Sequence, residues 1–200
     1  MLIYNKEINM ANIAIFASGS GTNYEALTEK FQSGTKHSVK LLVCDKEGAF
    51  VIERAKKFGT PVEMINYKTN TKPEVEARIL ELLARYEIDI VFLAGFMRIL
   101  SDDFIHKITI PFINLHPSLL PKYRGAHAIE RAFESDDDEI GMSIHYVTEE
   151  LDGGQIILQK SVRLRHEAGL EAVEDDIHAL EHLYYPLAAA QLCDELDKSL

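Results

Sequence analysis

The chain has 200 residues, of which 46% are hydrophobic and 26% charged, and its formal net charge is −11 with a pI near 5.2. This balance is typical of a globular protein with one large core. The acidic excess without a basic run argues against nucleic acid or an anionic membrane as a partner. No apolar stretch approaches the roughly 20 residues that span a bilayer, and no signal peptide is evident, which predicts a cytoplasmic protein.

The first part of the chain alternates short apolar runs with amphipathic helical patterns. The first helical pattern carries Tyr24, Leu27 and Phe31 at helical spacing. Such alternation predicts an α/β fold with a doubly wound, mostly parallel sheet. The predicted strands cover residues 12–17, 39–44, 61–65, 89–95 and 112–115, and further helices cover 49–59 and 73–86.

The pattern changes after about residue 140. Residues 141–150 and 154–164 are typical of longer strands, which predicts an antiparallel pair joined near the turn Leu-Asp-Gly-Gly at 151–154. A C-terminal helix is predicted from about Leu170, broken near Pro186. The two cysteines form no CxxC pair, so neither a disulfide framework nor a structural zinc site is indicated.

The glycine-rich segment SGSGTN, residues 18–23, follows a predicted strand and precedes a helix. Small residues and free N–H groups at a helix N-terminus favour a phosphate group there. The segment is neither G-x-G-x-x-G, because Tyr24 stands at the third glycine position, nor a Walker A loop. The alternative is a plain turn in which Thr22 or Asn23 caps the helix.

Asn114 and His116 alternate at the end of a predicted strand, so their side chains point the same way. Asp152 lies in the Leu-Asp-Gly-Gly turn. An amide and a protonated imidazole can stabilise an oxyanion, and a nearby carboxylate would favour the charged imidazole. We therefore expect acyl transfer without a covalent enzyme intermediate. The alternative is a structural histidine and an ordinary turn, since contact between His116 and Asp152 is an inference here.

Two further segments bear on the kind of site. Residues 178–182, His-Ala-Leu-Glu-His, fit the H-x-x-E-H zinc pattern, but no third ligand is marked, so no metal site is predicted. Residues 94–100, AGFMRIL, follow the most apolar strand and could line an apolar slot. Ligands in open parallel sheets lie at the carboxyl ends of strands, where residues 18–23, 94–100 and the segment after 112–115 would share one crevice.

Four segments in this order closely resemble the phosphoribosylglycinamide formyltransferase family: ASGSGTN, AGFMRIL, INLHPSLLPKYRG and HYVTEELDGG. The resemblance extends from Asn12 to about Pro186. It implies a Rossmann-like formyltransferase fold, with residues 1–11 as an N-terminal extension and residues 12–200 as a single formyltransferase domain. It also implies transfer of the formyl group of 10-formyltetrahydrofolate to the amine of glycinamide ribonucleotide in de novo purine biosynthesis. No metal would be required.

The resemblance also implies roles for individual residues. Asn114 and protonated His116 would stabilise the oxyanion, while Asp152 would tune His116 and help to relay the proton. Lys72 stands about where the family often has an arginine near the folate tail. The residues matched to the ribonucleotide are Gly19, Gly21, Thr22, Asn23, His178 and Glu181. Those matched to the folate are Lys72, Phe96, Met97, Arg98, Ile99, Leu100, Val147, Thr148, Glu149, Glu150 and Leu151.

Three alternatives share parts of this pattern. Methionyl-tRNA formyltransferases carry an additional tRNA-binding domain, and formyltetrahydrofolate deformylases usually have a second histidine where this chain has Pro117. A non-catalytic folate- or nucleotide-binding module would not need Asn114, His116 and Asp152 together. The expected partners are the two small-molecule substrates, with no nucleic acid and no membrane. The chain is expected to be a monomer or a homodimer.

Overall fold

The strands of the protein form one sheet. A computed structural model describes residues 10–196 of the chain. The strands are β1 (Asn12–Ala17), β2 (Ser38–Cys44), β3 (Val62–Met64), β4 (Ile90–Leu93), β5 (Phe112–His116), β6 (Glu139–Tyr146) and β7 (Ile156–Arg163). The spatial order of the seven strands is β3-β2-β1-β4-β5-β6-β7.

Helices connect most of the strands. They are α1 (Thr22–Gln32), α2 (Phe50–Phe58), α3 (Lys72–Arg85), α4 (Asp102–Ile105), α5 (Ala128–Phe133) and α6 (Leu170–Leu196), with a short 3₁₀ turn at His166–Ala168. The helices predicted near residues 24–31, 49–59 and 73–86 correspond to α1, α2 and α3. The short helices α4 and α5 have too few residues for a periodic pattern and were not predicted.

The strand pairing confirms the doubly wound arrangement. Strands β1, β2, β3, β4 and β5 pair in parallel. Strands β5, β6 and β7 pair antiparallel, as expected for the C-terminal part of the sheet. The chain runs outward from β1 to β3 and then returns to β4 on the other side of β1. The strand order therefore switches between β1 and β4, and the crevice beyond their carboxyl ends is where such sheets bind ligands.

Both faces of the sheet are covered, which explains the nearly continuous apolar runs of the central strands. Along β1, Ile13 and Ile15 join the core on one face, whereas Ala14 and Phe16 join the core on the other. Helices α1, α2 and α6 pack on the first face, and α3 and α4 on the second. This packing fixes the positions of the loops at the carboxyl ends of the strands.

The predicted break near Pro186 is wrong, because α6 continues through this residue to Leu196. A proline inside a helix removes one hydrogen bond and costs about 3 kcal/mol. Tyr185 and Ala189 on either side are fully buried, and the Tyr185 hydroxyl donates to the carbonyl of Leu93 at 3.0 Å. The free energy gained by burying this face of α6 outweighs the cost of the hydrogen bond that is lost at Pro186.

Residues 1–9 and 197–200 lie outside the described residues. The division into an extension over 1–11 and one domain over 12–200 therefore stays a prediction. Within residues 10–196, no helix combines the length and the apolar character needed to cross a bilayer. Cys44 and Cys193 are both free thiols in the core.

Candidate active site

The candidate site lies at the carboxyl ends of β1, β4 and β5. The loop after β1 contacts the loop after β4, since the backbone N–H of Ser18 donates to the carbonyl of Gly95 at 3.1 Å. Asn114 and His116 occupy the end of β5. The turn that carries Asp152 joins β6 to β7 and reaches back over β5. The three segments predicted to share one crevice thus lie at the same edge of the sheet.

Asp152 lies between the other two predicted catalytic residues. Its Oδ1 is 3.4 Å from Nδ2 of Asn114, and its Oδ2 is 3.4 Å from Nδ1 of His116. Oδ2 also accepts the backbone N–H of Gly125 at 2.8 Å. The backbone of Asp152 is left-handed, with φ 50°, a conformation that aspartate and asparagine tolerate better than most residues. This turn aims the carboxylate into the space between Asn114 and His116.

Both ring nitrogens of His116 face hydrogen-bond acceptors. Nε2 lies 2.9 Å from the carbonyl oxygen of Tyr123, and Nδ1 faces the carboxylate of Asp152. Only the imidazolium has a proton on each nitrogen, so this arrangement suits the protonated ring. The side chains of His116 and Asp152 are each 7% exposed, which keeps their mutual attraction poorly screened by water.

His145 is a member of this cluster that the sequence reasoning missed. Its Nδ1 lies 2.9 Å from the carbonyl oxygen of Tyr146 and must be protonated to donate to it. The neutral ring then presents a lone pair at Nε2, which lies 3.1 Å from Nδ2 of Asn114. Because His145 and Asp152 both present acceptors, the NH₂ group of Asn114 has to face them. His145 thereby fixes which end of the Asn114 amide points into the site.

The register of the antiparallel pair explains why His145 was missed. It stands directly opposite Asn114 on β6, and no local motif indicates that pairing. The sequence feature that could have indicated His145 is its place in the segment HYVTEELDGG. The Nε2 of His145 is also 3.5 Å from Oδ1 of Asp152, which places all four polar side chains in one contiguous group.

The environment of Asp152 lowers the pKa of its carboxyl group. Burial raises that pKa, but the hydrogen bonds and positive charge around the carboxylate, among them the Gly125 N–H and the electrostatic attraction of His116, outweigh burial. A carboxyl whose pKa is depressed on folding stabilises the fold above its unfolded pKa of about 4, and this contribution is lost as the pH falls through the folded value.

We therefore expect a pH-dependent difference in stability between the wild type and Asp152→Asn. The difference in unfolding free energy should begin to shrink below about pH 4, where the carboxyl of the unfolded wild type takes up a proton before that of the folded protein does. Urea denaturation between pH 7 and pH 3 measures this difference. A difference that stays constant or widens on acidification would contradict the assigned environment of Asp152.

The glycine-rich loop lies at the N-terminus of α1. Gly21 precedes the helix with φ 78° and provides no side-chain cap. A Cβ atom at Gly21 would lie 2.4 Å from Cγ2 of Val51, so only glycine fits. The carbonyl of Gly19 accepts the N–H of Val51 at 3.1 Å, which ties the loop to α2. The first N–H groups of α1, starting at Thr22, are positioned to bind an anion.

Helix α6 brings a second group to this loop. Nδ2 of Asn23 donates to Oε2 of Glu181 at 2.9 Å, and Nδ1 of His178 lies 3.0 Å from the same oxygen. The hydrogen bond with Glu181 raises the pKa of His178 above its ordinary value. Oδ1 of Asn23 is buried and has no hydrogen-bond partner among residues 10–196. The structure thus unites the residues predicted to bind the ribonucleotide.

The H-x-x-E-H pattern does not form a metal centre in the described part of the chain. Within residues 10–196, no group of three or more His, Cys, Asp and Glu side chains is arranged to hold a metal ion. The rings of His178 and His182 stack with centroids 6.2 Å apart. Burial lowers the pKa of His182, whereas Glu181 is committed to Asn23 and His178.

The segment after β4 provides an apolar surface beside Asn114. Met97 is 76% exposed and Ile99 is 65% exposed, whereas Leu100 packs partly against the core. Phe96 differs from the predicted arrangement, because its ring packs edge-on against Phe16 in the core. The ring of Phe96 is therefore buried and does not belong to the exposed apolar surface.

The charged residues assigned to the folate are engaged with other side chains. The guanidinium of Arg98 bonds to Asp45, and Nζ of Lys72 lies 4.0 Å from Oε1 of Glu76.

The side chains of the segment after β6 are mostly paired with neighbours. Glu149 pairs with His106 at 2.7 Å, and Glu150 pairs with Arg124. Thr148 donates its hydroxyl proton to the carbonyl of Glu150 at 3.3 Å. Leu151 is 47% exposed, and Val147 packs against the core. The exposed carboxylates of Glu149 and Glu150 thus both have basic partners.

The protein has an open, mostly parallel sheet, and a polar cluster and a glycine-rich loop lie at the carboxyl ends of its strands. These features are typical of α/β proteins that bind small molecules at the carboxyl edge of the sheet. The chain belongs to the formyl transferase family, whose family model matches residues 11–189.

Individual relatives cover most of the chain. It is 40% identical to phosphoribosylglycinamide formyltransferase of Bacillus subtilis over 92% of its own length and 95% of the relative. It is 34% identical over 94% of its length to 19% of a human trifunctional purine biosynthetic protein. The solved structure of phosphoribosylglycinamide formyltransferase from Campylobacter jejuni superposes with a TM-score of 0.86 at 41% identity, covering 92% of this chain and 97% of the other.

Proposed function

We propose that the protein transfers the formyl group of 10-formyltetrahydrofolate to the amine of glycinamide ribonucleotide, a step of purine biosynthesis. The placement of Asp152 between Asn114 and His116 carries the proposal, because this cluster lies at the same edge of the sheet as the glycine-rich loop and residues 94–100. The names of the relatives support the same reaction, since they are phosphoribosylglycinamide formyltransferases and a purine biosynthetic protein.

The chemistry begins when the amine of the ribonucleotide attacks the formyl carbon. The carbonyl π electrons move to oxygen and produce a tetrahedral oxyanion. The N–H of Asn114 that faces Asp152 across a long contact of 3.4 Å would turn to donate to this oxygen, and His116 contributes positive charge nearby. Because the two N–H groups of a protonated His116 are directed at Tyr123 and Asp152, we assign its role to that charge.

Collapse of the intermediate completes the transfer. The oxyanion re-forms the carbonyl, the bond between the formyl carbon and N10 of the folate breaks, and the amine proton passes to N10. Asp152 would help to relay that proton. The products are formylated ribonucleotide and tetrahydrofolate, with no covalent bond to the protein.

The two substrates are assigned to separate regions. The ribonucleotide phosphate would lie on the N–H groups near Gly21 and Thr22, while Asn23, His178 and Glu181 would bind the ribose side. The folate would lie between residues 96–100 and 147–151, with its tail toward Lys72. Lysine in that position supplies charge but lacks the planar fork of an arginine. The cytoplasmic location and the monomeric or homodimeric state stay predictions.

One assay distinguishes the proposed transferase from a deformylase and from a non-catalytic binding module. Loss of the formyl group from 10-formyltetrahydrofolate is followed with and without glycinamide ribonucleotide, in the presence of a chelator. The proposal expects loss only when the amine substrate is present, with formylated ribonucleotide detected by mass. Equal loss without the amine would identify a deformylase. No loss in either case would contradict catalysis.

The position of His145 leads to a further prediction. His145→Phe removes the acceptor that holds the Asn114 amide, so we expect kcat to fall about 30-fold while KM for each substrate changes little. Steady-state kinetics with both substrates measures the effect. The matched variant His166→Phe alters an exposed histidine outside the cluster, and its kcat should remain near that of the wild type. Equal kcat values for His145→Phe and wild type would contradict the orienting role.

A further inference from the structure

The loop that follows β4, residues 95–101, is attached to three other elements. We call it the β4 loop. The N–H of Met97 donates to Oγ of Ser18 at 2.9 Å. Farther along, Nε of Arg98 donates to Oδ2 of Asp45 at 2.5 Å. At its end, the N–H of Ser101 donates to Oε1 of Glu76 at 2.8 Å. These attachments come from the ends of β1 and β2 and from α3.

The attachment through Asp45 brings a carboxylate out of water. The Asp45 side chain is 3% exposed, and its Oδ1 has no hydrogen-bond partner among the described residues. A buried carboxylate is unfavourable without a charged partner, and Arg98 supplies one. The guanidinium also lies over the ring of Tyr67, 4.8 Å from its centroid. Arg98 is therefore held between Asp45 and Tyr67 rather than projecting freely into solvent.

The attachment through Glu76 is also buried. Glu76 is 5% exposed, and its two carboxylate oxygens accept the backbone N–H and the hydroxyl of Ser101. Hydrogen bonds to charged groups are stronger than those between neutral groups. The end of the β4 loop is thus bound to α3, while its middle is bound to the end of β2.

We propose that Asp45 and Glu76 are positioning residues for the formyl donor: by fixing the β4 loop from both sides, they hold its exposed apolar face in the shape that binds the folate. The proposal rests on the function proposed above. Met97 and Ile99, on either side of Arg98, are the most exposed large apolar side chains among the described residues. Such side chains bind a flat ligand well only if their backbone is held in place.

The attachments predict an effect on one substrate. The β4 loop lies on the folate side of Asn114. The glycine-rich loop contacts it at Ser18, but its Gly19 and Ser20 carbonyls are held separately by Val51 and Arg54 of α2. Loosening the β4 loop should therefore weaken binding of the folate and leave binding of the ribonucleotide unchanged. A purely structural role would lower thermal stability without separating the two substrates.

The test compares Asp45→Asn and Glu76→Gln with Glu47→Gln, which makes the same change of chemistry at an exposed position near Asp45. KM for both substrates is determined, and the Kd of tetrahydrofolate is measured by calorimetry. We expect Asp45→Asn and Glu76→Gln each to raise KM for 10-formyltetrahydrofolate and the Kd about tenfold. KM for the ribonucleotide should stay within about twofold, and Glu47→Gln should match the wild type.

Unchanged donor KM and Kd in folded variants would overturn the proposal, as would equal increases for both substrates. If one variant fails to fold, the other decides the question. Failure of the proposed function is distinct from these outcomes, because it would be seen as absence of transfer by the wild type.

Discussion

Asp152→Asn is expected to lower kcat by about a thousandfold and to leave the fold intact. Asparagine has the same shape as aspartate and tolerates the left-handed backbone at this position, where φ is 50°. It cannot supply the negative charge that stabilises protonated His116 across 3.4 Å. It also cannot take part in the proton relay. Steady-state kinetics together with circular dichroism separates the chemical loss from a folding defect.

A matched control tests whether the effect depends on the position of the lost charge. Asp136→Asn makes the same replacement on an exposed residue of the acidic run before β6. Its kcat should equal that of the wild type, because Asp136 lies outside the cluster. Normal turnover by Asp152→Asn would show that His116 does not act with Asp152, and the mechanism proposed here would be wrong.

The second large effect is expected for Gly21→Ala. The new Cβ would collide with Val51 at 2.4 Å, and alanine disfavours the left-handed φ of 78°. Together these effects should reduce the free energy of unfolding by about 3 kcal/mol. Moving the loop away from α2 also displaces the N–H groups proposed to bind phosphate. We therefore expect KM for the ribonucleotide to rise at least about tenfold, as measured by initial rates at saturating folate.

Gly34→Ala is the control for backbone strain. Gly34 also has a positive φ, of 95°, but a Cβ atom there would meet nothing within 4 Å. This variant should be destabilised by only about 1 kcal/mol and should keep the wild-type KM for the ribonucleotide. If the two variants behaved alike, close packing of Gly21 on Val51 would not be what shapes the loop.

Local patterns were sufficient to predict most of the sheet. The apolar run of β1 and the helical spacing of Tyr24, Leu27 and Phe31 in α1 depend on neighbours in sequence. Both β1 and α1 are present where they were predicted. The interruption predicted at Pro186 was wrong, because the burial that keeps α6 continuous comes from distant parts of the chain. Local propensity is overridden by tertiary packing in such cases.

The same distinction applies to the candidate site. The side chains of Asn114 and His116 share a face because they are two residues apart on one strand, which the sequence indicates directly. The contact of Asn114 with His145 depends on the register of β5 against β6. The attachment of Arg98 to Asp45 depends on how two loops meet, 53 residues apart in sequence. Contacts of this kind have no local signature, so only the folded structure reveals them.

The central claim is direct transfer of the formyl group between two bound substrates. The measurement that tests it most directly is a single turnover with 10-formyltetrahydrofolate labelled at the formyl carbon and glycinamide ribonucleotide, followed by mass spectrometry of the small molecules and of the intact protein. We predict that the label appears in the ribonucleotide in an amount equal to the donor consumed, and that the protein gains no mass at any time. Label recovered as formate, or bound to the protein, would contradict direct transfer.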